Sequence, residues 1–401
     1  MAETPARTVH YIVKVSKFCN LRCRYCYEMP ELGNRDAMSL DQLDRMYTHI
    51  AAYYGAQEER SRIVLVWHGG EPLIQEPELY WETFARQKKI FAGREHLQVE
   101  NVVQTNLTVL DEERIRLLRD GFDGVGVSID LFGGLRVNLA GKDSQARVLA
   151  NMDRLREAGV QFGGISVLTR RNLHQVKKIF RFYEKMGMSF RLLPLFPGAF
   201  EDQHADFSIT ADEVLKAFCT LADLWMESDK ALNIVPLSGH IQAAVRHLRG
   251  HTLPTFYNRR EWETAIMVNT NGDAFGYPEA YDAAYRYGNI FTTPVDALLA
   301  SESRERSVKA SEMRMALSCA RCPYFGSCSG YYMAEDNHQY VGPEAQGIAM
   351  CVVEKQLVRH IEERLKGSGL FTGAGRGAPA VTALERLDAA PQENLSLSVP
   401  A

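Results

Sequence analysis

No run of apolar residues in this chain is long enough to form a bilayer-spanning helix, although 46% of its 401 residues are hydrophobic. The apolar content is therefore left for a packed core. The opening MAETPARTVHYIVKVS lacks the basic-then-apolar pattern of a signal peptide. An excess of one charge is missing as well. The 46 Lys and Arg stand against 50 Asp and Glu, giving a net charge of −4, which offers no field for a nucleic acid or other polyanion. These absences lead to the expectation of a soluble, cytoplasmic protein with neither a nucleic-acid nor a membrane partner. From Lys366 onward large apolar residues grow scarce and Gly, Ala, Pro and Ser dominate. That tail, 366–401, is expected to be disordered, with at most a short helix over 381–388.

Cysteine is present eight times, and seven of the eight fall in two groups. A reducing compartment disfavours disulfides, so such grouping argues for metal or catalysis. Cys219 stands apart in KAFCTLADLW, where a buried core thiol is expected. The first group, Cys19, Cys23 and Cys26, has the spacing Cys-x3-Cys-x2-Cys and no fourth ligand beside it. Three thiolates on one short loop suit three irons of a cubane. The fourth iron then keeps an open position, which is a site for a substrate rather than a scaffold. Zinc, or merely buried thiols, would also satisfy the spacing.

Hydrophobic periodicity gives six strand–helix pairs in the first 230 residues, from HYIVKVS with SLDQLDRMYTHIAAYY to FRLLPLF with TADEVLKAFCTLADLWMES. Pairs in series imply a parallel sheet with helices outside it. Six are too few for the usual closed barrel, so the expected fold is α/β, an open (β/α)6 partial TIM barrel over 1–230. A smaller α+β domain over 231–365 should follow. In such folds the chemistry sits at the C-terminal strand ends. The cysteine loop, Gly-Gly-Glu-Pro, Thr-Asn and Ser-Ile-Asp all fall there.

With Tyr25 as the aromatic before the third cysteine, the loop resembles the signature of the radical S-adenosylmethionine (SAM) superfamily. The resemblance implies a [4Fe–4S] cluster on Cys19, Cys23 and Cys26 whose open iron chelates SAM. Reductive cleavage then gives methionine and a 5′-deoxyadenosyl radical. Gly69, Gly70, Glu71 and Pro72 resemble the motif that receives the SAM ammonium group. Gln104-Thr105-Asn106 and Ser128-Ile129-Asp130 resemble segments beside the SAM ribose and carboxylate. Arg136 is expected to pair with that carboxylate, and Val167 and Leu168 to flank the adenine. The chain departs from relatives after Asp130, where it reads LFGGLRVNLAGKD.

The second group, Cys319, Cys322, Cys328 and Cys351, resembles the SPASM domain of peptide- and protein-modifying members. A full SPASM domain carries two auxiliary clusters. Here Tyr277 and Tyr332 stand where two of its cysteines would be. The resemblance implies one auxiliary [4Fe–4S] cluster on the four remaining thiolates. Zinc suits four thiolates equally well. Tyr277, Glu279 and Asp282 become candidate catalytic residues, with packing or surface roles as the plain alternative.

The segment Trp67-His68-Gly69-Gly70-Glu71-Pro72-Leu73 resembles that of maturases that cross-link residues, including cyclophane-forming enzymes. The expected activity is therefore oxidative cross-linking of a ribosomal precursor peptide through a C–C or C–heteroatom bond. Formylglycine formation of the sulfatase-maturase type and peptide epimerisation are the enzymatic alternatives. A non-catalytic zinc or iron–sulfur interaction protein is the alternative of another class. Implied partners are the peptide and an electron donor such as flavodoxin or ferredoxin. With only about nine residues ahead of strand one, leader binding is expected to use another surface or a separate protein. Metal analysis separates the readings: two cubanes require about eight irons per chain, whereas about four irons with one zinc would assign the second group to zinc.

Overall fold

The computed structural model describes residues 7–195, 206–230, 232–251, 265–276, 281–328, 341–343, 349–351 and 353–368. In chain order the strands are β1 (Arg7–Ser16), β2 (Ser61–Gly69), β3 (Leu97–Thr105), β4 (Gly124–Ser128), β5 (Gly163–Leu168), β6 (Phe190–Pro194), β7 (Ile234–Val235), β8 (Ala265–Val268), β9 (Asp273–Phe275), β10 (Arg286–Asn289), β11 (Val341–Pro343) and β12 (Ala349–Cys351). The helices are α1 (Leu40–Gly55), α2 (Pro77–Ile90), α3 (Glu112–Asp120), α4 (Gln145–Glu157), α5 (Val176–Met186), α6 (Ala211–Glu227), α7 (Leu237–Leu248), α8 (Val295–Leu299), α9 (Glu302–Arg314) and α10 (Val353–Gly367). No described helix is long and apolar enough to cross a membrane. The described residues divide into two compact units.

The first unit takes residues within 1–129, 134–162 and 263–307. Its strands run in the order β10-β9-β8-β1-β2-β3-β4. Pairing is parallel from β1 through β4, with Lys14 opposite His68, Trp67 opposite Val103 and Gln104 opposite Gly126. The expected open parallel sheet is therefore present. Strand β8 comes from the TAIMVNTNG segment and pairs parallel to β1, Val13 against Val268, a pairing with no local sequence signal. Strands β9 and β10 continue beyond it in antiparallel fashion.

Period-two alternation sends odd residues of β1 and β2 toward the helices. Tyr11 reaches Tyr54 of α1, and Trp67 packs edge-on against Tyr80 and Phe84 of α2. Helix α1 starts at Ser39, whose hydroxyl and Gln42 form a reciprocal capping box. Its Leu43, Met46, Tyr47, Ile50 and Tyr54 form the buried stripe. The even residues Lys14 and His68 thus face away from these helices, onto the other side of the sheet.

The second unit takes residues within 130–133, 163–262 and 308–401. Strands β5, β6 and β7 pair parallel. Thr210 and Glu213 close a capping box on α6, and left-handed Gly187 ends α5. Helix α10 packs against α6 and α7. Cys219, expected in the core, is only partly buried on α6; desolvation and Asp223 push its thiol up to about 11.

Trp67 is fully buried and its indole N–H donates to Asn101 at 3.0 Å. Trp67→Ala removes this anchor between sheet and α2. It is expected to lower stability by about 3–5 kcal/mol in denaturant unfolding.

Candidate functional site

A register shift between Lys14 and Ser16 ends β1 in a bulge and turns the chain into the cysteine loop. Gly69, which ends β2, and Gly70 after it lie directly beneath that loop. Gly70 N–H donates to Ser16 O at 2.9 Å and Glu71 N–H to Phe18 O at 3.0 Å. A Cβ on Gly70 would sit 2.2 Å from Phe18 O, and Gly69 has φ of 120° with Ser16 O 2.1 Å from its would-be Cβ. Glycine is required here because two backbone segments touch. On its other side the loop is tied by Arg22 N–H to Val137 O, 2.7 Å, and Arg24 N–H to Leu135 O, 2.9 Å.

Glu71 is buried, and its carboxylate is occupied by protein. It accepts from Leu73 N–H at 3.0 Å, the Thr105 hydroxyl at 2.6 Å and Asn106 N–H at 2.7 Å. Burial raises its pKa; these three donors and Arg136 oppose the rise. The end of β2 is thereby fixed to the end of β3. Asn106 accepts from the Thr108 N–H and hydroxyl, 2.9 and 2.6 Å. Its amide N–H2 donates to Asn20 Oδ1 at 3.0 Å and reaches Cys19 Sγ at 3.7 Å. Leu107 between them is left-handed, φ 52°. Its N–H is held by Thr105 and its carbonyl by Asn151.

Cys19 and Cys23 are buried and Cys26 partly so. Desolvation first, then Glu71, pushes the Cys19 thiol up to about 12; desolvation and Cys23 push Cys26 well above the ordinary range. The sulfurs sense one another's charge, yet no three ligating groups among the described residues reach single-ion spacing. Donors converge on them: Leu21 N–H on Cys19 Sγ at 3.4 Å, the Asn106 amide on the same sulfur, and the Arg136 guanidinium on Cys23 Sγ at 3.8 Å. Arg136 also lies over the Tyr25 ring. Thiols this costly to ionise alone, surrounded by donors that favour anionic sulfur, fit thiolate ligands of a cluster whose iron supplies the missing positive charge.

Beside the loop, on the sheet face turned away from α1 and α2, lies a polar group that sequence reasoning missed. Lys14 is 1% exposed and forms an ion pair with buried Glu28, two residues past Cys26. The Tyr281 hydroxyl also donates to Glu28, and the Lys14 ammonium lies over the Tyr281 and Tyr27 rings. Gln104 donates to the Ser128 hydroxyl at 2.6 Å on the same face. A lysine inside the apolar run of β1 was the available signal. Tyr281 is adjacent to Asp282, whose exposed carboxylate instead caps the turn at Ala284, 2.8 Å. Tyr277, Glu279 and Tyr332 lie outside the described residues.

The first unit therefore gathers the three cysteines, Tyr25, Gly69, Gly70, Glu71, Thr105, Asn106, Ser128 and Arg136, with Pro72 opening the turn behind Glu71. In the second unit Asp130 accepts from Val167 N–H at 2.6 Å, and Leu168 is buried. That unit also holds the second cysteine group. Cys319 closes the helical turn Met315–Cys319, against which β12 packs with Cys351 at its end. Cys322 N–H donates to Cys319 O, and Cys328 N–H to Tyr324 O, both 2.9 Å. Tyr324 is anchored on Glu362 of α10 at 2.8 Å. Arg246 donates to Ser327 O at 2.9 Å; burial lowers its pKa and the Cys328 charge raises it.

The chain is similar to known proteins at the level of family, sequence and fold. The model of the radical SAM superfamily matches residues 13–183. The chain is 23% identical to a serine-type anaerobic sulfatase-maturating enzyme of Bacteroides thetaiotaomicron, over 81% of this chain and 82% of that protein. It is likewise 23% identical to a cysteine-type anaerobic sulfatase-maturating enzyme of Clostridium perfringens, over 80% and 87%. Among solved structures it is similar in fold to anSMEcpe with bound AdoMet and the Cp18Cys peptide, with TM-score 0.71, 18% identity and 92% and 100% coverage. It is also similar to Streptococcus suis SuiB bound to precursor peptide SuiA, with TM-score 0.56, 13% identity and 83% and 74% coverage.

His68 sits beside Lys14 on β2, and burial with the Lys14 and Arg136 charges depresses its pKa to about 4; Glu28 opposes. The unfolded chain takes this proton near pH 6.5, so it binds more protons than the folded chain below that pH. The associated stability is complete above about pH 7 and declines as pH falls toward 4. His68→Asn is expected to remove about 2 kcal/mol of the stability lost between pH 7 and 5, measured by denaturant unfolding across that range.

Proposed function

Because the chain belongs to the radical SAM superfamily, we propose that it oxidises a side chain of a ribosomally made peptide by two electrons, closing a C–C or C–heteroatom cross-link. It is a radical SAM oxidoreductase of the peptide- and protein-maturing kind, and its cofactors are SAM and [4Fe–4S] clusters. Bound together, cluster and SAM supply a 5′-deoxyadenosyl radical able to take a hydrogen atom from substrate.

The observation that carries the radical SAM part of this reading is the thiol loop pinned on both sides; the cross-link itself rests on the likeness of the Trp67–Leu73 segment to that of cross-linking maturases. Cys19, Cys23 and Cys26 are the residues that would hold the SAM-binding cluster. The Gly69–Gly70 contact fixes the loop from below, and Asn106 and Arg136 direct N–H groups at two of its sulfurs. Glu71 acts by holding the ends of β2 and β3 together, since its oxygens are engaged by protein donors. Lys14, paired with Glu28, and Gln104, bonded to Ser128, order the sheet face beside the loop. Cys319, Cys322, Cys328 and Cys351 would hold one auxiliary cluster, which offers an exit for the surplus electron; a flavodoxin or ferredoxin is the fitting donor. A separate leader-binding protein is the fitting partner for a precursor peptide.

A second reading, oxidation of a peptidyl Cys or Ser to formylglycine, is favoured by the two sulfatase-maturating relatives, each aligned over about four fifths of this chain. The trapped product decides between them. Protein reconstituted with iron and sulfide and given dithionite, SAM and a co-expressed neighbouring peptide should release 5′-deoxyadenosine; Cys23→Ala should release none. A product about two mass units lighter that resists carbonyl trapping supports the cross-link. A product that forms a hydrazone supports formylglycine, and an unchanged mass supports epimerisation.

A further inference from the structure

The turn after β3 is built at a conformational cost that neither the sheet nor its helices require. Leu107 holds φ of 52° without being glycine. Such a residue persists only where its surroundings over-determine it. Here Thr105 Oγ1 accepts the Leu107 N–H at 2.9 Å, and Asn151 of α4 donates to the Leu107 carbonyl at 2.8 Å. Glu71 fixes the residue before, through Asn106 N–H, and Thr108 fixes the Asn106 carbonyl oxygen twice. With its oxygen satisfied, the Asn106 amide has a single orientation. Its N–H2 group points to Cys19 Sγ and Asn20 Oδ1. Asn20 is itself held in place by its own donation to Thr108 Oγ1 at 2.9 Å. The side chain is 6% exposed, so water does not compete for these protons.

We propose that Asn106 is a positioning residue that sets the reduction potential of the cluster on Cys19, Cys23 and Cys26, by donating a hydrogen bond to the Cys19 sulfur from a turn clamped by Glu71 and Thr108. An N–H directed at a cluster thiolate stabilises the more electron-rich, reduced state and raises the potential. The geometry thus assigns the strained turn a redox task, distinct from contact with SAM or with the peptide. The inference rests on the proposed SAM-binding cluster and extends it to a residue whose role is electronic.

The test is an EPR-monitored redox titration of anaerobically reconstituted full-length protein, following the signal that changes on adding SAM and so belongs to the open-iron cluster. Asn106→Asp keeps the acceptor toward Thr108 and removes the donor; Asn106→Ala removes both. Both are expected to move the midpoint negative. A tenfold fall in the reduction equilibrium would appear as about 59 mV for one electron. Thr108→Val leaves the sulfur contact untouched and loosens only the aim, and should shift the midpoint in the same direction by less. Variants that retain wild-type iron content and midpoint while losing only melting temperature overturn the inference. Should Asn106→Ala fail to hold iron, Asn106→Asp and Thr108→Val decide the matter by the same readout. A wild-type protein with no SAM-responsive signal overturns the underlying cluster reading, a failure distinguishable from a SAM-responsive cluster indifferent to Asn106.

Discussion

The buried Glu71 carboxylate is the joint on which the candidate site depends. It lies past β2, yet its three hydrogen bonds run to the following turn and to the end of β3. Parallel strands share a sheet through their ladders, but their C-terminal ends emerge into loops with no ladder to align them. A carboxylate with several acceptor positions can gather separate N–H and O–H donors at such a place. Removing one partner from so buried a group would strand the others and cost about 1–3 kcal/mol for each unsatisfied atom. The arrangement therefore behaves as a unit. The glycine contact beneath the cysteine loop and the asparagine aimed at Cys19 both inherit their position from it.

Much of this was legible in the sequence, for a physical reason. β1 and α1 fall on the HYIVKVS and SLDQLDRMYTHIAAYY segments that periodicity marks, and β6 and α6 on FRLLPLF and TADEVLKAFCTLADLWMES. Such signals are local, so a sequence carries them openly. The motif residues at the ends of β2 and β3 are contiguous runs and are legible for the same reason. Their duties were less legible. The glycines of Gly69–Gly70 were expected in a SAM-binding motif, and the structure adds their close approach to the carbonyls of Ser16 and Phe18. Glu71 was expected to offer an acceptor, and its acceptors are engaged by protein. Spacing names the residue type a site requires; it does not say which neighbour consumes each hydrogen bond.

What stayed hidden is long-range. Nothing local in TAIMVNTNG says that β8 will pair parallel to β1, because register across more than two hundred residues is decided by which faces remain uncovered. The same pairing brings residues 265–276 and 281–289 to the sheet that carries the cysteine loop, and with them Tyr281 to Glu28. Of the candidates Tyr277, Glu279 and Asp282, the first two lie outside the described residues and Asp282 caps the turn at Ala284. The side chain that arrives beside the loop among the described residues is Tyr281. Lys14 was visible as a charge in an apolar strand, but its partner Glu28 could be assigned only once the loop had folded back.

The two cysteine groups differ in the surroundings that would govern their clusters. The first is desolvated and meets an amide, a backbone N–H and one guanidinium. The second is more exposed; it has Arg246 near Cys328, and Cys351 receives the Lys355 N–H at 3.3 Å. A cluster with an open iron must accept an electron and then pass it to a bound sulfonium, so the surroundings of its sulfurs affect the chemistry directly. A cluster closed by four thiolates needs only a potential suited to receiving or relaying charge, and tolerates solvent. The left-handed Leu107 and the clamped Asn106 occur beside the first group, whose cluster would supply the bond-breaking electron.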